Sequence, residues 1–205
     1  MSAGQEPYGA GTSTFEFVDL NRVLQTLSLT PSTVFLDLGC GRGNYAIPVA
    51  EFIGPRGKVY GVDAWREGLE EMEGRAAASG LTNITAIHAD LNEHIPLEDG
   101  TVDVGFMATV LHDLLREGPG VVAMDEIARV LKPGGRLCII EFKKVGDGPG
   151  PPLSVRLSSE ETEKVITPFG FVKDRVIDLG PFHYLLAASM ARPASAAPVI
   201  SVKKS

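Results

Sequence analysis

The amino-acid sequence alternates short apolar runs with helical patterns, and this alternation constrains the fold more than any other feature. The apolar runs are rich in β-branched residues and cover residues 34–38, 58–62, 84–88, 102–108 and 136–142. Helical patterns lie between most of them, at residues 44–53, 65–79 and 119–131. Helices placed between strands cover both faces of a sheet, so the sequence predicts an α/β fold with a mostly parallel sheet.

The C-terminal part of the sequence predicts where the sheet stops being parallel. The last two strand-like runs, "FVKDRVIDLG" and "HYLLAASM", have little more than "PF" between them. A parallel crossover needs a dozen or more residues, so this pair is predicted to form an antiparallel hairpin. We also expect a helix in "EETEKVITPFG", capped by Ser159, and a turn at "KPGG" (132–135) before the fifth strand.

The length and local composition predict a single domain with loose ends. The chain has 205 residues, which suits one full-sized core. Residues 1–14 are predicted to form a flexible N-terminus and residues 191–205 a C-terminal tail. The domain between them, residues 15–190, is expected to consist of an N-terminal helix at 15–30 and a core at 33–190.

Composition excludes several classes of function. The formal net charge of -7 disfavours a nucleic-acid groove, which needs clustered Lys and Arg. No apolar stretch approaches the length of a membrane span, and the N-terminus lacks the pattern of a signal peptide. The two cysteines, Cys40 and Cys138, are too few for a disulfide framework, and His88 and His94 show no metal-ligand spacing. We therefore expect a cytoplasmic protein without a metal site.

The first apolar run contains an acidic residue and leads into a glycine loop. Asp37 is followed by Gly39, Gly41 and Gly43 at alternate positions. Glycines let the backbone approach a ligand, and the helix that follows offers free N–H groups to an anion. The dinucleotide-binding pattern requires a glycine where this sequence has Asn44, which disfavours a nicotinamide oxidoreductase. A carboxylate beneath the loop suits S-adenosylmethionine, whose ammonium and sulfonium are cationic, better than a pyrophosphate.

Two further acidic residues lie at the ends of the second and third apolar runs. Asp63 ends the second run, where a carboxylate can accept hydrogen bonds from ribose hydroxyls. Ala64 and Trp65 then border the adenine, although Trp65 can instead pack on its own helix. Asp90 ends "IHAD" and can accept from the adenine amino group. Because ligands bind outside the carboxyl ends of parallel strands, the three acidic residues are predicted to converge on one cofactor.

These motifs together resemble a class I S-adenosylmethionine-dependent methyltransferase. The resemblance is carried by "FLDLGCGRG", "VYGVD", "ITAIHADLNEHIPLEDGTVDVGFMATVLHD" and "ARVLKPGGRLCIIEF", and it covers about residues 33–190. It is closest to the branch of ubiquinone/menaquinone C-methyltransferases, which belong to methyltransferase type 11. The resemblance implies a Rossmann-like seven-stranded sheet in the order 3-2-1-4-5-7-6, with strand 7 antiparallel and helices on both faces.

The resemblance also implies roles for individual residues. The methionine end of the cofactor would be held by Asp37, Gly39, Cys40, Gly41 and Gly43, with Cys40 contributing mainly backbone. Asp63 would hold the ribose, and Asp90 with Leu91 the adenine. The segment from Thr109 to His112 would face the reacting methyl.

Methyl transfer from a sulfonium is an in-line displacement, so the protein mainly positions the reactants and excludes water. A base is needed only when the nucleophile of the acceptor holds a proton. His112 is the candidate base, and the alternative is that it merely begins a helix at the rim of the pocket. Glu141, at the end of the fifth strand, could reach the pocket, but the favoured prediction is a solvated strand-end carboxylate. Phe15 and Phe17 are predicted either to cover the site or to pack the N-terminal helix on the sheet.

The leading prediction is an enzyme that methylates a small-molecule acceptor and releases S-adenosylhomocysteine. The alternative is a sensor or scaffold that binds the cofactor without catalysis. This alternative is motivated by the short segment "KKVGDGPGPPLSVRLS", which replaces the long insertion of the quinone branch and predicts a more open pocket. The sequence does not predict the acceptor, the methylated atom or the oligomeric state.

Overall fold

The computed structural model describes residues 14–118, 120–146 and 148–191. The predicted flexible segment at 1–14, except Thr14, and the predicted tail at 191–205, except Ala191, lie outside the described residues. The strands are β1 (Val34–Leu38), β2 (Lys58–Asp63), β3 (Ile84–His88), β4 (Val102–Ala108), β5 (Leu131–Phe142), β6 (Phe171–Asp178) and β7 (His183–Met190). The α-helices are α1 (Leu20–Leu27), α2 (Ala46–Ile53), α3 (Arg66–Ala78), α4 (Leu111–Glu117), α5 (Val121–Val130) and α6 (Ser159–Ile166). Two 3-10 helices cover Phe15–Phe17 and Thr167–Phe169.

One seven-stranded sheet organises the domain, in the order β3-β2-β1-β4-β5-β7-β6. The strands β1 to β5 pair in parallel, whereas β7 runs antiparallel to both β5 and β6. The predicted strand order and the antiparallel hairpin are therefore confirmed. Because β7 is antiparallel, its first residues lie at the same edge of the sheet as the last residues of β5.

Both faces of the sheet are buried, as the continuous apolar runs predict. Alternate residues of β1 point to opposite faces, so Leu36 and Leu38 join one core cluster and Phe35 joins the other. The first cluster contains side chains of α4, α5 and α6, and the second contains side chains of α1, α2 and α3. The helices thus cover both faces, and the edge where β1 to β5 end is left for a ligand.

The N-terminal helix differs from the prediction. The sequence predicts one helix over 15–30, whereas the structure has a 3-10 helix at Phe15–Phe17 followed by α1. Asp19 separates them because its Oδ1 accepts the backbone N–H groups of Asn21 and Arg22, at 2.9 and 3.4 Å, and so caps α1. Ser28, in the left-handed region at φ 53°, ends α1.

Two smaller predictions also change. The cap of α6 is Ser158 rather than Ser159: its hydroxyl accepts from the Glu161 N–H at 3.3 Å, and the Glu161 side chain accepts from the Ser158 N–H at 2.7 Å. The "KPGG" segment lies within β5 rather than before it. Val102 and Val104 of β4 pair with Leu131 and Arg136, so the extra residues of β5 bulge out of the ladder.

Candidate active site

The glycine loop joins β1 to α2 in a conformation that only glycine adopts easily. Gly39, Gly41 and Gly43 have φ values of 71°, 51° and 74°. A Cβ atom at Gly39 would lie 2.5 Å from a side-chain carbon of Val110, whereas one at Gly41 would meet no atom within 4 Å. Gly39 therefore allows close packing against the segment after β4, and the backbone at Gly41 remains open to a ligand.

Asp37 is a buried carboxylate beneath this loop. Its side chain is only 2% exposed, and its Oδ2 atom is buried without a hydrogen-bond partner. Burial, together with the nearby charge of Asp63, raises the pKa of Asp37 to about 8. A cationic group beside Oδ2 would supply the missing partner and favour the ionised form. The ammonium of S-adenosylmethionine is such a group, so the residues present fit this cofactor.

Asp63 connects the glycine loop to the start of α3. Its Oδ2 accepts from the Gly41 N–H at 2.7 Å, and its Oδ1 accepts from the Trp65 N–H at 2.8 Å. Each carboxylate oxygen has two lone pairs, so both oxygens can still accept another hydrogen bond. The same residue can therefore fix the loop and receive ribose hydroxyls.

Trp65 borders the glycine loop and is 7% exposed. The Arg42 guanidinium lies 5.1 Å from the centroid of the indole ring and forms a salt bridge with Glu71 at 3.1 Å. From α3, Arg75 donates to the Arg42 carbonyl at 2.7 Å and to Asn44 Oδ1 at 2.9 Å. Asn44, which stands where a dinucleotide site has its third glycine, is thus hydrogen-bonded to α3.

A single cavity brings together part of the predicted cofactor set. Five predicted residues line it: Asp37, Gly39, Cys40, Gly41 and Trp65. Five others, which sequence reasoning missed, complete it: Thr14, Arg42, Asn44, Tyr45 and Ala108. The hydroxyls of Thr14 and Tyr45 lie 3.0 Å apart, so the N-terminal segment is fastened to the rim of this cavity.

The other predicted cofactor residues do not line this cavity. Gly43 packs against α3, where a Cβ atom would lie 2.3 Å from Met72. The Ala64 carbonyl lies 3.1 Å from His88 Nε2. Asp90, exposed after β3, accepts from the Asn92 N–H at 2.8 Å, and Leu91 is buried in the core.

Thr109 occupies the end of β4 with a left-handed backbone. Its φ of 58° is an outlier for a β-branched residue. Its N–H donates to the Ile140 carbonyl of β5 at 2.8 Å, and its hydroxyl donates to the Ala108 carbonyl at 2.7 Å. These bonds hold the turn between β4 and α4.

His112 and Glu141 form a buried pair beyond this turn. The Nδ1 atom of His112 lies 2.8 Å from Glu141 Oε2, and its backbone N–H donates to Glu141 Oε1 at 3.1 Å. His112 is 5% exposed and Glu141 is 0% exposed, so the prediction of a solvated Glu141 is wrong. The carboxylate is buried because β5 ends beside the first turn of α4, where both groups of His112 satisfy it.

The protonation of His112 follows from this pairing. Burial lowers its pKa, but the hydrogen bond and negative charge of Glu141 outweigh burial, and the pKa is raised above its usual range. A carboxylate can only accept, so Nδ1 must carry a proton. Nε2 lies 3.7 Å from Asp113 Oδ2 and is the nitrogen left for proton exchange. The prediction that His112 begins a helix and the prediction that it serves as a base are compatible with this geometry.

Across residues 14–118, 120–146 and 148–191, no three His, Cys, Asp or Glu side chains are grouped as a metal site. No helix in that part of the chain is long and apolar enough to cross a membrane.

Comparison with known proteins identifies the family to which this chain is similar. A family model described as a methyltransferase domain matches residues 29–168. A demethylmenaquinone methyltransferase from Staphylococcus aureus is 33% identical over 123 residues, which is 58% of this chain and 47% of that enzyme. The chain therefore spans about half the length of the curated relatives that it matches.

Solved structures extend the similarity to most of the chain. An S-adenosylmethionine-dependent methyltransferase from Aquifex aeolicus is 31% identical, with a TM-score of 0.78 over 87% of this chain and 93% of that one. A putative type 11 methyltransferase from Sulfolobus solfataricus shares the fold, at 24% identity and a TM-score of 0.71 over 89% of this chain and 98% of that one. The chain therefore belongs to the methyltransferase domain family, has the class I fold and uses S-adenosylmethionine as its cofactor.

Proposed function

We propose that this protein transfers the methyl group of S-adenosylmethionine to a small-molecule acceptor by in-line displacement and releases S-adenosylhomocysteine. The observation that carries this proposal is the unpartnered, buried carboxylate of Asp37 beneath the open backbone at Gly41. A fold gains nothing from an unsatisfied buried carboxylate, so this feature calls for a cationic ligand.

The chain's own residues divide the work of holding the cofactor. Asp37 would hold the ammonium, Asp63 would accept from the ribose hydroxyls on its remaining lone pairs, and Asp90 with Leu91 would border the adenine. The N-terminal segment, fastened by Thr14 to Tyr45, keeps water from the methionine end. S-adenosylmethionine supplies the activated methyl group and its own leaving group, so the protein needs no further activation of the donor.

His112 acts on the acceptor. Glu141 fixes the Nδ1–H tautomer and thereby directs the lone pair of neutral His112 at Nε2. A nucleophile that holds a proton gives it to Nε2 as the methyl group arrives. Because the pKa of His112 is raised by Glu141 despite burial, the neutral base forms only above the usual histidine range, and the rate should rise with pH there. Glu141 is a positioning residue in this scheme, since it acts through His112.

The acceptor class follows from the need for such a base. We propose an uncharged small molecule with a hydroxyl or another proton-bearing nucleophile. The curated relatives are named for demethylmenaquinone, but they are about twice as long as the matched length of this chain. We also propose the cytoplasm as the compartment, because Cys40 and Cys138 are both free thiols and both buried.

A turnover screen tests the proposal. Purified protein is incubated with S-adenosylmethionine and candidate acceptors, and S-adenosylhomocysteine is quantified by mass spectrometry. We expect acceptor-dependent product from the wild-type protein and a large loss in Asp63→Ala. Tight cofactor binding without product from any acceptor would favour the sensor or scaffold instead, and absence of cofactor binding would refute both.

A further inference from the structure

His183 is a buried histidine that neither the fold nor the proposed mechanism requires. It is the first residue of β7 and pairs with Phe142, the last residue of β5, at the edge of the sheet that carries the active site. The residue is 1% exposed, and its Nε2 atom is buried without a hydrogen-bond partner. A buried polar atom left unsatisfied destabilises a fold, so its presence requires an explanation.

Aromatic rings surround this imidazole. The ring centroid of His183 lies 4.5 Å from that of Phe142 and 6.3 Å from that of Phe17, with the latter ring tilted by only 28°. The centroids of Phe142 and His112 lie 6.0 Å apart, so the Phe142 ring contacts both histidines. Phe17 is 50% exposed and ends a three-residue 3-10 helix. The polar nitrogen thus lies in an apolar, aromatic setting close to the candidate base.

Burial and the charged groups around His183 keep it neutral. Burial, and after it the cationic side chains of Arg156 and Lys143, together lower its pKa to about 4. Arg156 is itself buried, its guanidinium lies 5.5 Å from the Phe142 ring, and it donates to carbonyls of the loop after β5. The negative charge of Glu141, on the other side, is engaged by His112. The two histidines therefore differ in state, because one has a carboxylate partner and the other faces cations.

We propose that His183 is an acceptor-binding residue, whose Nε2 atom forms a hydrogen bond with a polar group of a flat acceptor once the Phe17 ring moves aside. The inference rests on the proposed function, since it assumes an acceptor beside His112. Phe17 is the covering group best able to move: it is half exposed, and its N–H is held by the Thr14 carbonyl at 2.9 Å within a single 3-10 turn. His112 then exchanges the proton, while His183 selects acceptors by a second polar group.

Two flat aromatic probes that differ by one hydroxyl group test this assignment. Binding of p-cresol and of toluene to the protein is measured by NMR titration, both with and without S-adenosylhomocysteine. A neutral hydrogen bond contributes about 1 kcal/mol, which corresponds to a roughly fivefold preference for p-cresol in the wild-type protein. His183→Phe should abolish this preference, and His183→Gln, which retains a polar group near the Nε2 position, should keep most of it.

The outcomes separate this inference from the proposed function. Both variants should bind S-adenosylhomocysteine as the wild-type protein does, since His183 lies outside the cofactor cavity. An unchanged p-cresol preference in His183→Phe, or no preference in the wild-type protein, would overturn the role of His183 while leaving cofactor chemistry intact. Failure of the wild-type protein to bind S-adenosylhomocysteine would refute the proposed function, and the titration without cofactor would still decide the role of His183.

Discussion

The two halves of the candidate site are built in different ways. The cofactor half is nearly continuous in sequence, since Asp37, the glycine loop and Asp63 lie on two successive strands. The acceptor half combines His112 on α4, Glu141 at the end of β5 and His183 at the start of β7. The residues proposed to hold the cofactor fit on a local motif, whereas the proposed acceptor pocket is assembled from side chains that only the folded sheet brings together.

The halves also differ in how they treat a buried carboxylate. One oxygen of Asp37 has no hydrogen-bond partner, so this carboxylate can bind a cation from outside the chain. Glu141 already has its partner, because both its oxygens are engaged by His112. The unpartnered carboxylate of Asp37 lowers the stability of the free protein and favours ligand binding, whereas the paired carboxylate of Glu141 orders His112 as the proposed base. Removing the charge of Asp37 should therefore stabilise the free protein, whereas removing the charge of Glu141 should change the pKa of His112.

The largest expected effect is on the acceptor half. His112→Gln should lower kcat by about 100-fold or more, because general-base catalysis contributes roughly 10²–10⁴-fold, while cofactor affinity stays unchanged. Single-turnover kinetics with an acceptor from the screen would measure the first, and calorimetry the second. A kcat close to that of the wild-type protein would show that the acceptor needs no base from His112.

Glu141→Gln serves as the companion variant. The amide keeps the shape but removes the charge that raises the pKa of His112 against burial, so that pKa should fall. The rising limb of the pH–rate profile should move to lower pH, and NMR titration of the His112 ring should show the same shift. A rate loss without any movement of the profile would indicate a structural role for Glu141 only.

The next effect concerns the cofactor half. Asp63→Ala should weaken S-adenosylhomocysteine binding at least tenfold, because it removes the bonds to the Gly41 and Trp65 N–H groups as well as the ribose contacts. Asp90→Ala is the matched control. The Asp90 carboxylate is exposed and accepts from the Asn92 N–H, so the loss of S-adenosylhomocysteine affinity in this variant should be smaller. Equal losses in the two variants would contradict the special role of Asp63.

Cofactor affinity should also depend on pH through Asp37. With its pKa at about 8, Asp37 is largely protonated at pH 6, and binding of an ammonium must expel that proton. Affinity should therefore rise about tenfold or more from pH 6 to pH 8, with proton release seen as a buffer-dependent binding enthalpy. Above pH 8 the gain ends, because a free α-amino group itself titrates near pKa 7.7–8.0, so about half of it is then uncharged. Asp37→Asn should bind more weakly and lose this pH dependence.

The same residue links binding to stability. Because the pKa of Asp37 is higher in the folded state than the ordinary value of 3.8, the unfolded chain loses its proton first as pH rises. The cofactor-free protein should therefore lose stability between about pH 4 and pH 8. Asp37→Asn removes this loss and should raise the melting temperature at pH 8. A lower melting temperature in that variant would mean that the carboxylate is satisfied in the folded protein.

The sequence predicts the fold well because each strand signals its own environment. Continuous apolar runs indicated two-sided burial, and the two-residue gap before "HYLLAASM" forced an antiparallel pair, which β7 confirms. The failures are local competitions between backbone and side chain. Asp19 accepts two backbone N–H groups and caps α1, so the helix expected at 15–30 is interrupted. Ser158 rather than Ser159 accepts the N–H of Glu161 and caps α6.

The site was predictable only where its residues lie close together in the sequence. A carboxylate within an apolar run marked Asp37, but Glu141 ends β5 beside Phe142 and resembles any solvated strand end. Nothing near it in sequence indicates His112, because His112 lies on α4, after β4, and meets Glu141 only when β5 pairs with β4. Tyr45 and Arg42 were missed for a related reason: their side chains could belong to any helix start, and only the cavity shows that they border it.

The smallest expected effect tests whether the cofactor half depends on support from outside the motif. Arg75 is exposed on α3, yet it donates to the Arg42 carbonyl and to Asn44 Oδ1. Exposed hydrogen bonds contribute little, so Arg75→Met should weaken S-adenosylhomocysteine binding only about two- to threefold. Glu73→Gln, at another exposed position of α3, should have no effect. If Arg75→Met instead matched Asp63→Ala, the glycine loop would owe its shape to α3 as much as to its own sequence, and the cofactor half would be as dispersed as the acceptor half.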